Sequence, residues 1–273
     1  MKNNIVNALT AGLILASLQT AAFGQTVEKN VKLHVNPRWS QCSFQLDPSL
    51  TQSAWHEFTE EAGVAAYYRP LTDARPMGVG NYEFSLLQWT TTIDDTKSAW
   101  NDTFVHPNAT HWLEEGDHLS IPGLTFRTGI TNRIDAAAYW IKNPGANYGF
   151  WGGQVQYNIV NDKEKEWAAS ARLGFNSLYG PDDLDFTVYG LDFLASRKIV
   201  VFSDWVSVAP YVGVSTYVSH SHETSAVVEL KDEVTPGAIG MVGAVAQISV
   251  VRIAGEYDFA RASSFSVKVG VAF

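Results

Sequence analysis

The sequence predicts an all-β protein, a transmembrane antiparallel β-barrel of about twelve strands, with ten as the alternative count. Three observations predict it. From Glu61 onward, segments of about ten to fourteen residues alternate apolar and polar side chains, as strands do when they send successive residues to opposite faces. Connections on one side of this alternation are short, whereas those around 93–118 and 219–235 are long, which matches a barrel with turns at one rim and loops at the other. Beyond Gly24 no run approaches the roughly 18 apolar residues of a spanning helix, so a membrane crossing would have to be made by strands.

Composition narrows the function classes. The chain has 273 residues, a net charge of −9 and only 17% charged residues, against roughly 25% in an average soluble protein. No Lys/Arg cluster is present, and phosphate binding needs one, so a nucleic-acid partner is disfavoured. Residues 1–24 read as a secretory signal: Lys2, an apolar stretch from Ile5 to Leu18, and Ala22-Phe23-Gly24 ahead of a cleavage point. Cys42 is the only cysteine, so no internal disulfide is available, and it reads as a buried thiol.

Residues 25–58 form an N-terminal segment. Val31, Leu33 and Val35 alternate, as do Cys42, Phe44 and Leu46, so the strand needed to complete an even number is expected between Val31 and Leu46. Leu50, Ala54 and Phe58 recur at helical spacing and predict a short helix at the barrel rim or in its mouth. The barrel itself is assigned to 59–273, beginning with a strand from Gly63 to Arg69. In the next strand Tyr82, Phe84 and Leu86 oppose Glu83 and Ser85. Leu124, Phe126 and Thr128 oppose Thr125 and Arg127, and Ile134 to Ile141 follows a tight turn. Trp151, Val155, Tyr157 and Ile159 oppose Gln154, Gln156 and Asn158. Leu173 and Phe175 oppose Arg172 and Gly174, and a further strand ends near Val201. Val206, Val208, Val212, Val214 and Val218 oppose Ser207, Tyr211, Ser215, Tyr217 and Ser219. Gly237 to Ala260 is too long for one crossing at about 3.3 Å per residue, so a turn is expected near Gln247–Ser249 although no Gly, Pro or Asn marks it.

The chain ends with Phe265, Val267, Val269, Val271 and Phe273 at every second position, interleaved with Ser266, Lys268 and Gly270. This ending resembles the closing strand of Gram-negative outer-membrane β-barrels. The resemblance implies a location in the cell outer membrane, and it makes outer-membrane lipid and the barrel-assembly machinery the expected partners. Those five apolar residues would form the assembly signal. Aromatics are expected in two interfacial girdles, Trp89, Trp140, Tyr148, Phe150 and Trp151 near the external rim and Trp167, Phe202 and Trp205 near the periplasmic one.

The inner face would carry Glu83, Arg127, Arg172, Arg252, Glu256, Asp258 and Lys268, a mixed-sign set suited to filling a narrow lumen or lining a pore. A three-residue hairpin at 261–263 would set Glu256 directly across from Lys268. The loop from Ile93 to His118 gathers Asp94, Asp95, Asp102, His106, His111, Glu114, Glu115, Asp117 and His118 among Trp100, Phe104 and Trp112. Its spacing matches no compact metal pattern; it suits a loop folded over the mouth or meeting an external partner. No metal, cofactor or catalytic residue is assigned. The reading is a non-enzymatic outer-membrane barrel, either a narrow channel or a structural or surface-interaction barrel. One alternative is a barrel hydrolase using Ser219-His220-Ser221-His222-Glu223 at the rim. The other is a soluble secreted sandwich or lipocalin-like binder, which requires the opposite polarity, apolar inside and polar outside.

Overall fold

The computed structural model describes residues 46–94, 97–104, 118–143, 148–203 and 205–273. The strands are β1 Tyr82–Thr92, β2 His118–Gly129, β3 Ile134–Lys142, β4 Gly149–Asp162, β5 Trp167–Tyr179, β6 Leu184–Arg197, β7 Ile199–Ser203, β8 Val206–Glu223, β9 Glu233–Ile248, β10 Val251–Phe259 and β11 Ser264–Ala272. Consecutive strands from β1 to β6 and from β8 to β11 pair antiparallel; β6 pairs with β8, and β11 returns to β1. The result is a closed ring of ten strands. Closure leaves no free sheet edge, so every stave satisfies its backbone polar groups on both sides.

β7 adds no stave. Ile199 lies across from Val208 in the register that already pairs Ser196 with Tyr211, so β7 continues β6 along β8 after a break at Lys198. At the break the Lys198 N–H donates to the Glu166 carbonyl at 2.7 Å.

The count of twelve is therefore corrected to ten. The alternating stretch from Gly63 to Arg69 is no strand: its start ends a helix, α1 (Gln52–Ala65), and its remainder runs extended inside the ring. Alternation of apolar residues did not distinguish a stave from a segment buried on all sides. Of the expected strand between Val31 and Leu46, only Leu46 lies within the described residues, where it makes one isolated bridge to Phe104.

The two rims differ. Tyr82 exchanges backbone hydrogen bonds with Phe273 at one rim, here the terminal rim, where the turns at 130–133, 163–166 and 249–250 are also found. The opposite, loop rim carries the connections at 93–117, 143–148, 180–183, 224–232 and 260–263. The turn at Ser249 lacks glycine, yet Ser249 adopts φ 54° and its N–H donates to the Trp205 carbonyl at 2.7 Å. A neighbouring turn thus stabilises a left-handed residue that local sequence did not announce.

α1 sits at the loop rim, inside the ring. Thr51 caps it by accepting from the Ala54 N–H at 3.3 Å, and Trp55, Phe58, Ala62 and Val64 are buried. Gly63 is the point of closest approach to β8: a Cβ there would lie 2.7 Å from Ser219 Oγ. A second short helix, α2 (Ser98–Asn101), lays Trp100 and Phe104 edge-on against Phe58, with ring centroids 5.4 and 5.1 Å away.

Candidate functional site

The polarity of the wall is inverted relative to a soluble barrel. Along β11, Phe265 and Val267 are exposed and Val269 and Val271 partly so, while Ser264, Ser266 and Lys268 are buried within. Phe273 is also exposed. Phe84, Leu124, Trp140, Val155, Leu173, Phe193, Val214, Val242 and Ile253 are exposed, one on each of the other nine staves. Between the rims, the outward positions carry no Asp, Glu, Lys or Arg among the described residues.

Charge is concentrated inside. Glu83, Arg127, Arg172, Glu256, Asp258 and Lys268 are buried, and Arg252 is partly so. Sequence reading missed two wall carboxylates, Asp135 and Asp192, which their alternation in β3 and β6 could have assigned to the same face. Lys268 Nζ reaches Glu83 Oε1 at 2.6 Å, and Arg252 Nη1 reaches Glu83 Oε2 at 3.0 Å. The expected Glu256–Lys268 pair does not form. Asp258 pairs with Ser264, so the hairpin loop spans 259–263 and Lys268 comes to lie across from Ala254. This two-residue shift leaves every face unchanged but moves the partner by about 7 Å. Glu256 instead accepts from Tyr211 Oη at 2.7 Å.

The lumen is occupied by the protein's own chain. From α1 at the loop rim, residues 66–77 run through the ring to the terminal rim, where the chain turns at Gly78–Asn81 into β1. Arg69 is the pivot. Its guanidinium pairs with Asp258, donates to the carbonyls of Val64 and Tyr67 at 2.8 Å each and to Ser264 Oγ at 2.9 Å, and stacks 5.8 Å from the Trp89 ring. One side chain thus satisfies carbonyls at the end of α1 and neutralises a buried wall carboxylate. Above it Tyr67 Oη donates to Asp192, and Tyr68 stacks on Tyr139 with centroids 3.9 Å apart.

Below Arg69 the wall holds the main chain. Lys268 Nζ donates to the Pro70 carbonyl at 3.0 Å and Arg172 Nη2 to the Thr72 carbonyl. Asn158 Nδ2 donates to the Ala74 carbonyl at 2.9 Å, and Arg127 Nη2 to the Arg75 carbonyl at 3.1 Å. The Ala74 N–H donates to Ser196 Oγ and the Met77 N–H to Asp135, each at 3.1 Å. Arg127 also pairs with Asp135, and Arg172 approaches Asp192 at 3.8 Å.

Three girdle assignments need correction. Trp89, Tyr148 and Phe150 point inward and are buried, because they share the alternation phase of lumen-facing residues. Trp140 and Trp151 are exposed and paired with each other near the loop rim, and Trp167 and Trp205 are exposed near the terminal rim. The side chain of Phe202 lies outside the described residues, as do Asp95, residues 105–117 and the proposed signal and cysteine.

The hydrolase constellation does not assemble. Ser219 and Ser221 point inward, to Thr235 Oγ1 and Thr59 Oγ1 at 2.6 Å each, whereas His222 points outward to Asp232 at 2.7 Å. Alternation along β8 puts nucleophile and base on opposite faces. Among the described residues no group of three His, Cys, Asp or Glu side chains is placed to hold a metal ion.

No family model and no curated protein matches the chain. Solved structures that it resembles include the β domain of the Bordetella autotransporter BrkA, at 10% identity and TM-score 0.42, covering 71% of this chain and 100% of that one. LpxR from Salmonella typhimurium aligns at 10% identity and TM-score 0.38, over 68% and 99% of the two chains. The Acinetobacter baumannii outer membrane protein Omp33 aligns at 7% identity and TM-score 0.30, over 71% and 99%. In class, the chain resembles Gram-negative outer-membrane β-barrels. At these identities and scores the likeness adds no argument about activity.

Proposed function

We propose that this protein is an outer-membrane β-barrel whose lumen is closed by its own N-terminal segment, serving as a structural or surface-interaction barrel and not as an open channel. The observation that carries the membrane reading is the uncharged outer belt around a charged interior. Its height supports it too. Trp151 lies across from Ser177, ten residues along β5 from Trp167. At about 3.3 Å per residue and a tilt of roughly 35–45° the two girdles stand about 25 Å apart, the height of a membrane barrel's apolar band. Phe265, Val267, Val269, Val271 and Phe273 on the closing strand remain the proposed assembly signal, and outer-membrane lipid the proposed neighbour of the belt.

Closure rests on the segment at 66–77, which is anchored by Arg69, Lys268, Arg172, Asn158 and Arg127 and leaves an apolar cavity of about 40 Å³ among Phe58, Trp100, Ile121, Phe150 and Phe186 above it. A water there would have no polar partner. The decisive measurement is conductance of refolded protein in a planar bilayer, with heat-modifiable gel mobility as the folding control. A folded, silent barrel is expected. Steady discrete conductance steps would overturn the closed lumen, and recovery in buffer without detergent would overturn the membrane assignment.

A further inference from the structure

Charge outside the lumen is sorted by rim. In the loop-rim segments 180–185 and 223–233 seven carboxylates stand against one lysine, Lys231. At the terminal rim the balance is reversed along one arc. There the turns at 130–133 and 163–166 and the break after β6 bring Arg133, Lys163, Lys165, Arg197 and Lys198 onto neighbouring staves. Arg197 lies across from Trp167, the Lys198 N–H donates to the Glu166 carbonyl at 2.7 Å, and the Asn158 N–H donates to the Arg133 carbonyl at 2.8 Å, so backbone pairing fixes their positions. Lys198 is partly buried and the other four are exposed. None of the five side chains has an ion-pair or hydrogen-bond partner among the described residues. Three carboxylates share the arc, Asp162, Glu164 and Glu166. Asp162 is already engaged, accepting from the N–H groups of Glu164 and Lys165 at 3.0 Å each and from Trp167 Nε1 at 3.3 Å. The arc is left with cations in excess.

Next to these cations the outer wall is low. Ala169 and Ala171 of β5 and Ala195 of β6 point outward, and Ala169 pairs directly with Ala195. Tyr157 and Ile159 of β4 stand exposed on one side and Val212 of β8 on the other, while Phe193, across from Ala171, closes the depression toward mid-height. The result is a shallow apolar trough that ends at Trp167 and Arg197. An occupant that fills the trough and also meets the cations has to be apolar along its length and anionic at its end. A free phosphate or a nucleic acid meets only the second requirement. Exposed tryptophan favours the headgroup level of a bilayer, and basic side chains at that level attract anionic lipid within about a Debye length.

We propose that this arc binds an anionic phospholipid of the leaflet that meets the terminal rim, its phosphate held by Arg197, Lys198 and the lysines of the 163–166 turn and one acyl chain lying along the alanine trough. The proposal rests on the membrane reading above and assigns one lipid a fixed position on the belt.

The test places the refolded full-length protein in nanodiscs of phosphatidylcholine containing a minority of phosphatidylglycerol, and native mass spectrometry measures which lipid it retains on release. Relative to the bulk ratio, the parent protein is expected to retain phosphatidylglycerol by about fivefold or more, the effect of one interfacial cation at the least. Combining Lys163→Gln, Lys165→Gln, Arg197→Gln and Lys198→Gln is expected to bring retention to the bulk ratio. Lys231→Gln with Arg261→Gln, at the loop rim, should leave it unchanged, with heat-modifiable gel mobility as the folding control throughout. Ala169→Phe with Ala195→Phe keeps the cations but fills the trough, and retention is expected to fall. A preference that survives this filling would overturn the acyl-chain contact. No preference in the parent, or an equal preference in the four-glutamine variant, would overturn the proposal and leave the membrane reading standing. Failure of the parent to enter nanodiscs would instead overturn the membrane reading itself, and the proposal with it.

Discussion

At the scale of the residue, three side chains, Lys268, Arg252 and Ser85, converge on the buried Glu83 carboxylate in the lumen. Both Glu83 and Lys268 are 2% exposed or less, so removing one partner leaves the other charged and desolvated. Lys268→Met is expected to cost about 3–5 kcal/mol, read as a lower urea midpoint for unfolding in detergent. Adding Glu83→Gln to it is expected to return part of that loss. At the loop rim, His56 Nδ1 bonds Glu233 at 2.7 Å, and this hydrogen bond raises the imidazole above its usual value against the opposing effect of burial. A raised histidine stabilises the fold fully below about pH 6.5 and loses that contribution as pH rises through its folded value. An NMR titration should place His56 above the free value, and Glu233→Gln should bring it down; an unchanged titration would dissociate the two groups.

Among elements, the fit between the luminal segment and the wall depends on one small residue. Gly190 of β6 faces Tyr67, and a Cβ at that position would lie 2.4 Å from the tyrosine ring. Gly190→Val is expected to push the segment off the wall, which would appear as conductance fluctuations in a barrel that still shows heat-modifiable mobility. Tyr67→Ala in the same chain makes room again and should reduce the clash while leaving the segment looser. The staves themselves were legible in advance because alternation with a period of two survives in every one, down to the unmarked turn near Ser249. The luminal segment was not. Tyr67, Arg69 and Leu71 alternate with Tyr68, Pro70 and Thr72 as they would in a strand, yet all six are buried. A segment surrounded on every side has no face to read.

For the whole molecule, the membrane belt predicts its own tolerance. Val214 is 61% exposed at mid-height on β8, next to Phe193 and Gly240, so Val214→Arg places a charge in the apolar band. The expected cost is about 2–4 kcal/mol by reversible folding into bilayers. A soluble protein would show no such penalty. The sequence by itself determined the strand class, the inside and outside of nearly every stave and the charged character of the lumen, because these follow from local alternation and composition. Glu83, Arg127, Arg172 and Lys268 were assigned inward on that basis alone. Only the tertiary structure decided the ring of ten, the pairing of Lys268 with Glu83 in place of Glu256, and the passage of residues 66–77 through the barrel. Those depend on closure and on loop length, which bring together residues far apart in sequence, such as Lys268 and Pro70, 198 positions apart. No local pattern encodes which of several available partners lies across a closed lumen.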